Sequence, residues 1–245
     1  MRAAGRLVGE VLTALKPKVV PGVTTAELDE IAEQLIADAG ATPAFKGYHG
    51  YPATICASIN EEVIHGIPSG QRVLQEGDIL SIDVGASLEG YFGDSAITLP
   101  VGKVSEEAAT LLRVTEEALY KAIECARPGG RVSDIGHAVQ QHVEAHGFSV
   151  VREFVGHGIG QRMHEEPQVP NYGEAGRGPR LAEGMVLAIE PMVNAGKPAV
   201  KVLSDGWTAV TRDKSLSAHF EHTVAIMASG AWILTAREVP VAARR

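Results

Sequence analysis

Four carboxylates stand where the sequence otherwise reads as buried strand. Asp83 ends the run Ile79-Leu80-Ser81-Ile82, and Asp94 precedes Ser95-Ala96-Ile97-Thr98-Leu99. Glu190 ends Met185-Val186-Leu187-Ala188-Ile189, and Glu221 precedes His222-Thr223-Val224-Ala225-Ile226. Runs of this β-branched and aliphatic composition form strands, so each acid marks a strand end that faces either water or a site. Both halves of the chain use the same order: one acid ends a strand and another begins a later one. Four carboxylates packed in partial burial repel one another and lose hydration. Two divalent ions that share bridging carboxylates, about 3.5–4 Å apart, supply the roughly +4 charge that such a cluster needs. A histidine is the natural complement, and His157 lies in Gly156-His157-Gly158-Ile159-Gly160, where glycines let the backbone approach closely and leave the imidazole uncovered. Taken alone, His157 also reads as a turn histidine facing solvent. Four acids with one histidine form a hard, oxygen-rich set that suits Mn, Fe or Co better than the cysteine-rich cages of structural zinc, although zinc is accommodated too.

The elements that must bring these residues together follow from an internal repeat. At an offset of 107 residues, Pro21-Gly22 recurs as Pro128-Gly129, Gly40 as Gly147, Glu76-Gly77 as Glu183-Gly184, and Asp83 as the acid Glu190. Leu28, Ala32 and Ile36 become Ile135, Val139 and Val143. Residues 5–16 and 106–126 read as amphipathic helices that stop before a Pro-Gly turn. Residues 25–39 and 133–146 read as second helices, with Thr25 and Ser133 as N-caps and Gly40 and Gly147 closing them. Strands follow in each half, the clearest at 79–84, 95–99, 186–190 and 223–227. Helix, helix and strands, occurring twice, imply an α+β fold with pseudo-twofold symmetry, in which the four acids converge near the pseudo-axis. No Pro/Ser-rich linker separates the halves, so the expectation is one catalytic domain over 1–245, with pseudo-repeats of about 1–100 and 101–245.

Composition excludes several classes. The 245 residues are 45% hydrophobic and 21% charged, which is ordinary for a globular chain and unlike a disordered or fibrous one. A net charge of −8, from 22 basic and 30 acidic residues, lacks the basic footprint of a nucleic-acid binder. No continuous apolar run reaches the ~18–20 residues that a membrane span requires. Cys56 and Cys125 cannot form a disulfide framework, and two free thiols fit a reducing compartment. Near the N-terminus, Glu10 interrupts the apolar run and no small-residue cleavage site follows, so the segment reads as an amphipathic helix of a cytoplasmic protein rather than a signal peptide.

Together the motifs resemble a known family. Gly47-Tyr48-His49-Gly50-Tyr51-Pro52, Ser58-Ile59-Asn60-Glu61 with His65-Gly66-Ile67-Pro68, Asp83-Val84-Gly85, Gly93-Asp94-Ser95, Gly156-His157-Gly158-Ile159-Gly160, His164-Glu165-Glu166-Pro167, Ile189-Glu190-Pro191-Met192 and Glu221-His222-Thr223 resemble, in order and over nearly the whole chain, the type I methionine aminopeptidases in their short bacterial form. The resemblance implies the pita-bread fold, with two pseudo-symmetric halves around a central antiparallel sheet. It implies a metal-dependent removal of the N-terminal methionine from nascent proteins when the second residue is small, by attack of a metal-activated hydroxide on the first peptide bond.

The resemblance also assigns roles. It implies two divalent ions (Co, Mn, Fe(II) or Zn) held by Asp83, Asp94, His157, Glu190 and Glu221, with Asp94 and Glu221 bridging and Glu190 taking the proton of the attacking water. His65 would face the scissile nitrogen and His164 the carbonyl oxygen, both as catalytic and substrate-binding groups. Tyr48, Tyr51 and Trp207, with Cys56 nearby, would wall the methionine pocket, since thioethers contact aromatic rings favourably. Phe45 and Met163 stand at the pocket where relatives commonly carry other residues. Expected partners are nascent-chain N-termini and, transiently, the ribosome surface, with no nucleic acid or membrane and a monomeric state. The nearest rival readings are a prolidase or aminopeptidase P, the type II methionine aminopeptidase, and a non-catalytic peptide- or RNA-binding protein of the same fold. The first normally carries a large N-terminal domain. The second carries an insertion of around sixty residues in the second half, whereas His157 and Glu190 are only 33 apart. The third would have lost ligands, and all five are present here.

Overall fold

The computed structural model describes residues 1–237, so 238–245 of the expected domain lie outside the described residues. Four helices carry the outer layer: α1 (Arg2–Leu15), α2 (Thr25–Asp38), α3 (Glu106–Cys125) and α4 (Val132–Ala145). In the first half the strands are β1 (Thr42–Pro43), β2 (Ile55–Ile59), β3 (Glu62–Ile64), β4 (Ile79–Leu88) and β5 (Tyr91–Pro100). The second half holds β6 (Ser149–Val150), β7 (Gly156–Gly158), β8 (Glu165–Val169), β9 (Val186–Ile189), β10 (Met192–Asn194), β11 (Val200–Val202), β12 (Ala209–Thr211), β13 (Ser217–His219), β14 (His222–Met227) and β15 (Gly230–Ile233).

The helices form for the reasons their spacing gives. Leu7, Val8, Val11, Leu12 and Leu15 put one apolar face of α1 into the core. Two caps differ from expectation. α2 is opened one residue earlier, by Thr24, whose hydroxyl accepts from Glu27 N while Glu27 accepts from Thr24 N. This capping box satisfies two orphan donors, which Thr25, already helical, cannot do. α4 is opened by Asp134, which accepts from Arg131 N at 2.7 Å, while the Ser133 hydroxyl donates outward to the Arg177 carbonyl. Gly40 and Gly147 close α2 and α4 in the left-handed region, as expected, at φ 68° and 80°.

The 107-residue offset maps Thr25–Asp38 onto Val132–Ala145 end to end. Every strand pairing among the described residues is antiparallel, but the strands are divided among four sheets rather than one. In the first half β4 pairs with β5 along its whole length and with β2 on its other side. In the second half β9 is flanked by β14 and β7. Symmetry is broken at Glu190. Asp83 lies in the middle of an unbroken β4, whereas β9 stops at Ile189 and the next strand begins at Met192. Pro191 has no N–H to give a ladder, which ends pairing there. Asp94 likewise lies inside β5 rather than before a strand, and Glu221 sits between β13 and β14. One continuous apolar core joins the halves, with Leu12, Leu28 and Ile82 from the first and Leu119, Val139 and Val224 from the second.

Candidate metal centre

The two halves meet along a seam between β5 and the β13–β14 segment. Asp94 N donates to the Thr223 hydroxyl, which donates back to the Asp94 carbonyl at 2.7 Å. Ser95 Oγ donates to the Glu221 carbonyl at 2.6 Å, and Glu221 N donates to the Ala96 carbonyl. Arg237 closes the back of this seam, its Nη2 donating to the Ala96 carbonyl at 2.7 Å and reaching Ser95 Oγ and the Glu221 carbonyl at 3.2 Å. The backbones of Asp94 and Glu221, 127 residues apart in the chain, are thus fixed against each other.

His157 enters from β7. A side chain at Gly156 or Gly158 would run into the carbonyl oxygens of Ala188 and Glu166, so both positions accept only glycine where the neighbouring strands pass. The His157 Nδ1–H donates to the Gly158 carbonyl at 2.8 Å, which leaves the Nε2 lone pair facing inward. That Nε2 lies 3.7 Å from both Asp94 Oδ2 and Glu190 Oε1. One donor atom each from Asp94, His157 and Glu221 lies within 4.8 Å of the others. Asn171, itself buried, holds the Glu190 carbonyl from behind at 2.9 Å.

The carboxylates are short of partners. Asp83 Oδ1, Asp94 Oδ1 and Glu221 Oε1 are buried with no hydrogen bond from any protein group. Buried polar atoms are nearly always paired, and a buried acid without a counter-charge is strongly destabilising. This pattern fits divalent cations, and the donors, carboxylate oxygen with one imidazole, suit them chemically. Burial, the dominant cause, pushes the Asp83 carboxyl up to about 6 and that of Glu190 to about 7. Asp94 and Glu221 are raised well above the usual carboxylate range, first by burial and then by the neighbouring acids.

Around the acids is a cavity of about 150 Å³. Its walls contain every residue singled out from sequence: Phe45, Tyr48, Tyr51, Cys56, His65, Met163, His164 and Trp207 line it together with Asp83, Asp94, His157, Glu190 and Glu221, and His49 joins them. Tyr48 and Tyr51 differ in what they do. The Tyr48 hydroxyl lies 2.8 Å from His164 Nδ1, and the His164 ring is 4.3 Å from that of His157. Tyr51 is buried under Trp207 in an edge-to-face contact at 5.1 Å, and its hydroxyl donates to the Ile55 and Gly66 carbonyls. Trp207 is therefore supported by Tyr51, and Cys56 packs in the same apolar cluster. His65 takes a left-handed backbone at φ 60°, uncommon for a side-chain-bearing residue and typical of functional sites. Its burial brings the imidazole down to about 4, so at neutral pH it is a hydrogen-bonding group rather than a cation.

Besides Asn171, three contributors were given no role by the sequence. His219 Nε2 is buried, has no hydrogen-bond partner and lies 3.6 Å from Glu190 Oε2. Its place two residues before Glu221 is the signal that could have found it. Phe154, edge-on to His65 at 5.9 Å, and Arg237 carry no motif and reach the site only through tertiary packing.

Comparison with known proteins follows the same lines. The model of metallopeptidase family M24 matches residues 1–228. The methionine aminopeptidase of Clostridium acetobutylicum is 59% identical over 235 residues, which covers 96% of this chain and 94% of that one. The crystal structure of the Thermotoga maritima methionine aminopeptidase superposes with a TM-score of 0.95 at 48% identity, covering 96% of this chain and 94% of that one. The prolidase of Pyrococcus horikoshii superposes with a TM-score of 0.76 at 26% identity, and this chain covers only 62% of it. The fold is the one these enzymes share.

Proposed function

The chain belongs to metallopeptidase family M24 and within it to the methionine aminopeptidases, and from that membership we propose how its residues act. It is a hydrolase that removes the N-terminal methionine of polypeptides with the help of divalent metal. Asp83, Asp94, His157, Glu190 and Glu221 would hold two divalent ions, Asp94 and Glu221 being shared between them. The observation that carries this reading is the set of buried carboxylate oxygens without hydrogen-bond partners, gathered on one cavity wall. Bound there, the ions supply Lewis acidity to the scissile carbonyl, a water acidified towards neutrality and an anchor for the free α-amine.

The remaining work falls to the protein. Glu190 takes the proton of the attacking water and delivers it to the departing amine. Its position in a closed, carboxylate-rich wall suits a group that must hold a proton for part of the cycle. Tyr48 O–H donates to His164 Nδ1, which leaves Nε2–H of a neutral imidazole to donate to the carbonyl oxygen as charge develops on it. His65, neutral, hydrogen-bonds the scissile nitrogen. The methionine side chain enters between Tyr48, Phe45 and Trp207, the last backed by Tyr51, where aromatic faces and edges meet the sulfur. Phe45 packs against Gly85, two residues beyond Asp83, where a side chain at 85 would strike its ring at 2.5 Å. A bulky ring there supports a narrow rim and a preference for a small second residue.

Residues 1–245 act as one catalytic unit on nascent-chain N-termini in the cytoplasm, as a monomer with transient ribosome contact. No helix among the described residues is long and apolar enough to cross a membrane. The test is peptidase activity on Met-Ala-Ser against Gly-Pro peptides, with and without chelator. Release of methionine from the first, abolished by chelation and restored by Mn²⁺ or Co²⁺, is expected. Cleavage of Gly-Pro in preference, or full activity in verified metal-free protein, would overturn the reading.

A further inference from the structure

We propose that Glu117, His142 and His146 form a second metal site, at the solvent edge of the α3–α4 helix pair, which takes a borderline transition ion, Zn²⁺ above all. None of the three lines the catalytic cavity, so the site is separate from the centre described above. Its frame is simple. His142 lies in the last turn of α4 and His146, four residues on, is its C-cap, so the two side chains stack one turn apart, with ring centroids 4.6 Å apart. A pair of histidines at this spacing is a recurrent zinc-binding arrangement on a helix. Glu117 reaches across from α3, and its Oε2 lies 3.0 Å from His142 Nε2. One donor atom from each of the three lies within 4.8 Å of the others.

The surroundings orient the donor atoms, and the ion takes the place of the proton between His142 Nε2 and Glu117 Oε2. His146 Nδ1 is tied to the His142 carbonyl at 2.8 Å. As a donor there it fixes the tautomer and turns Nε2 into the available lone pair, the usual support for a metal-bound imidazole. Arg113 donates to Glu117 Oε1 at 2.8 Å, which orients the carboxylate and leaves Oε2 facing the histidines. Burial, the leading cause, lowers the His142 pKa, which favours the unprotonated form that ligates. His146 and Glu117 keep exposed flanks, so small side-chain rotations bring three donors onto one ion about 2.0–2.2 Å away, with water completing the tetrahedron. Arg113 and Lys121 on α3 are the nearby cations and reduce affinity, whereas the Glu117 charge favours it. Two imidazoles and one carboxylate select Zn²⁺, Cu²⁺ and Ni²⁺ over the harder Mg²⁺ and Mn²⁺. An ion there staples α3 to α4, and metal counts exceed those of the catalytic centre for zinc but not for manganese.

The experiment is equilibrium dialysis of the full chain against micromolar free Zn²⁺, with bound metal counted by elemental analysis. The wild type is compared with His142→Ala/His146→Ala, with His146→Ala alone, which truncates an exposed side chain and spares the packing, and with Glu117→Gln. The double variant should bind one zinc per chain fewer than wild type at unchanged manganese content, and its peptidase activity should stay within twofold. His146→Ala and Glu117→Gln should each weaken binding of that one zinc by at least about tenfold. Equal zinc contents and affinities in the wild type and these variants would overturn the proposal and reduce the cluster to a helix-to-helix hydrogen bond.

Discussion

Stripping the ions from the catalytic centre should uncover a loss of stability with rising pH that its buried acids cause. In the metal-free protein the Asp83 carboxyl sits at about 6 against 3.8 in an unfolded chain, and Glu190 at about 7 against 4.5. Both folded values are raised, so the folded state holds its protons longer. The stability these groups contribute is complete below the unfolded values. It is lost as pH climbs through the folded ones, and the slope ends above them. Between pH 5 and pH 8, Asp83 accounts for about 1 kcal/mol of that loss and Glu190 for about 2–3, roughly 4 kcal/mol together. Asp94 and Glu221, raised further still, act in the same direction. For a chain of this size each kcal/mol moves Tm by about 2–4 °C, so between pH 5 and pH 8 the chelated wild type should lose about 8–16 °C relative to a chelated Asp83→Asn/Glu190→Gln variant, which keeps the opposing gain from buried histidines such as His65 and His222, held down to about 4 and about 3. The ion-loaded protein should show the opposite trend, because ions compete with protons for the same oxygens and bind better as pH rises. At a hundredfold excess over Kd they add about 2.7 kcal/mol. The assay is differential scanning calorimetry at pH 5, 6, 7 and 8, with and without chelator. A Tm difference between the metal-free wild type and the metal-free Asp83→Asn/Glu190→Gln variant that is flat or rises across this window would show that these acids are solvated or apart, which their convergence on one cavity wall forbids.

Glu190→Gln keeps the shape but removes a ligand charge and the proton carrier, so kcat should drop by at least ~10²-fold; activity within threefold of wild type would refute the role. Tyr48→Phe deletes the hydroxyl at His164 Nδ1 and should lower kcat/KM about three- to tenfold, the worth of one hydrogen bond, with little change in Tm; an unchanged steady-state rate would remove Tyr48 from the orientation of His164. Wild type should cleave Met-Ala peptides far better than Met-Leu, and Phe45→Ala should raise the relative kcat/KM for Met-Leu by about tenfold as overpacking at the rim is relieved. An unaltered ratio would place the selection elsewhere.

The repeat was legible because helices are local. Leu28, Ala32 and Ile36 recur as Ile135, Val139 and Val143 at the same helical spacing, so the correspondence of α2 and α4 is visible in the residues alone. Gly40 and Gly147 were legible for the same reason, since a left-handed residue after a helix favours glycine. Boundaries were less so. A threonine at 24 and another at 25 compete for one cap, and only the bond to Glu27 decides between them. Asp83 read as a strand end because a charge interrupts an apolar run, yet the pleat carries it through mid-strand with its side chain turned into the cavity. The four acids and His157 could be named from their placement, and the substrate residues from motif order. His219, Asn171, Phe154 and Arg237 could not, because each meets the site across a seam between distant segments. The hydroxyl of Thr223 reaching Asp94, and the Arg237 guanidinium reaching the Ala96 and Glu221 carbonyls, have no counterpart in local spacing.

The central claim, that Asp83, Asp94, His157, Glu190 and Glu221 together hold the catalytic metal, is tested most directly by anomalous scattering from crystals of the enzyme grown with Mn²⁺, recorded on both sides of the metal edge. Two metal-specific peaks are expected at this cavity wall, one within bonding range of Asp94, His157, Glu190 and Glu221 and the other of Asp83, Asp94 and Glu221. Peaks placed elsewhere, or none among these five side chains in crystals whose dissolved protein cleaves Met-Ala-Ser, would contradict it.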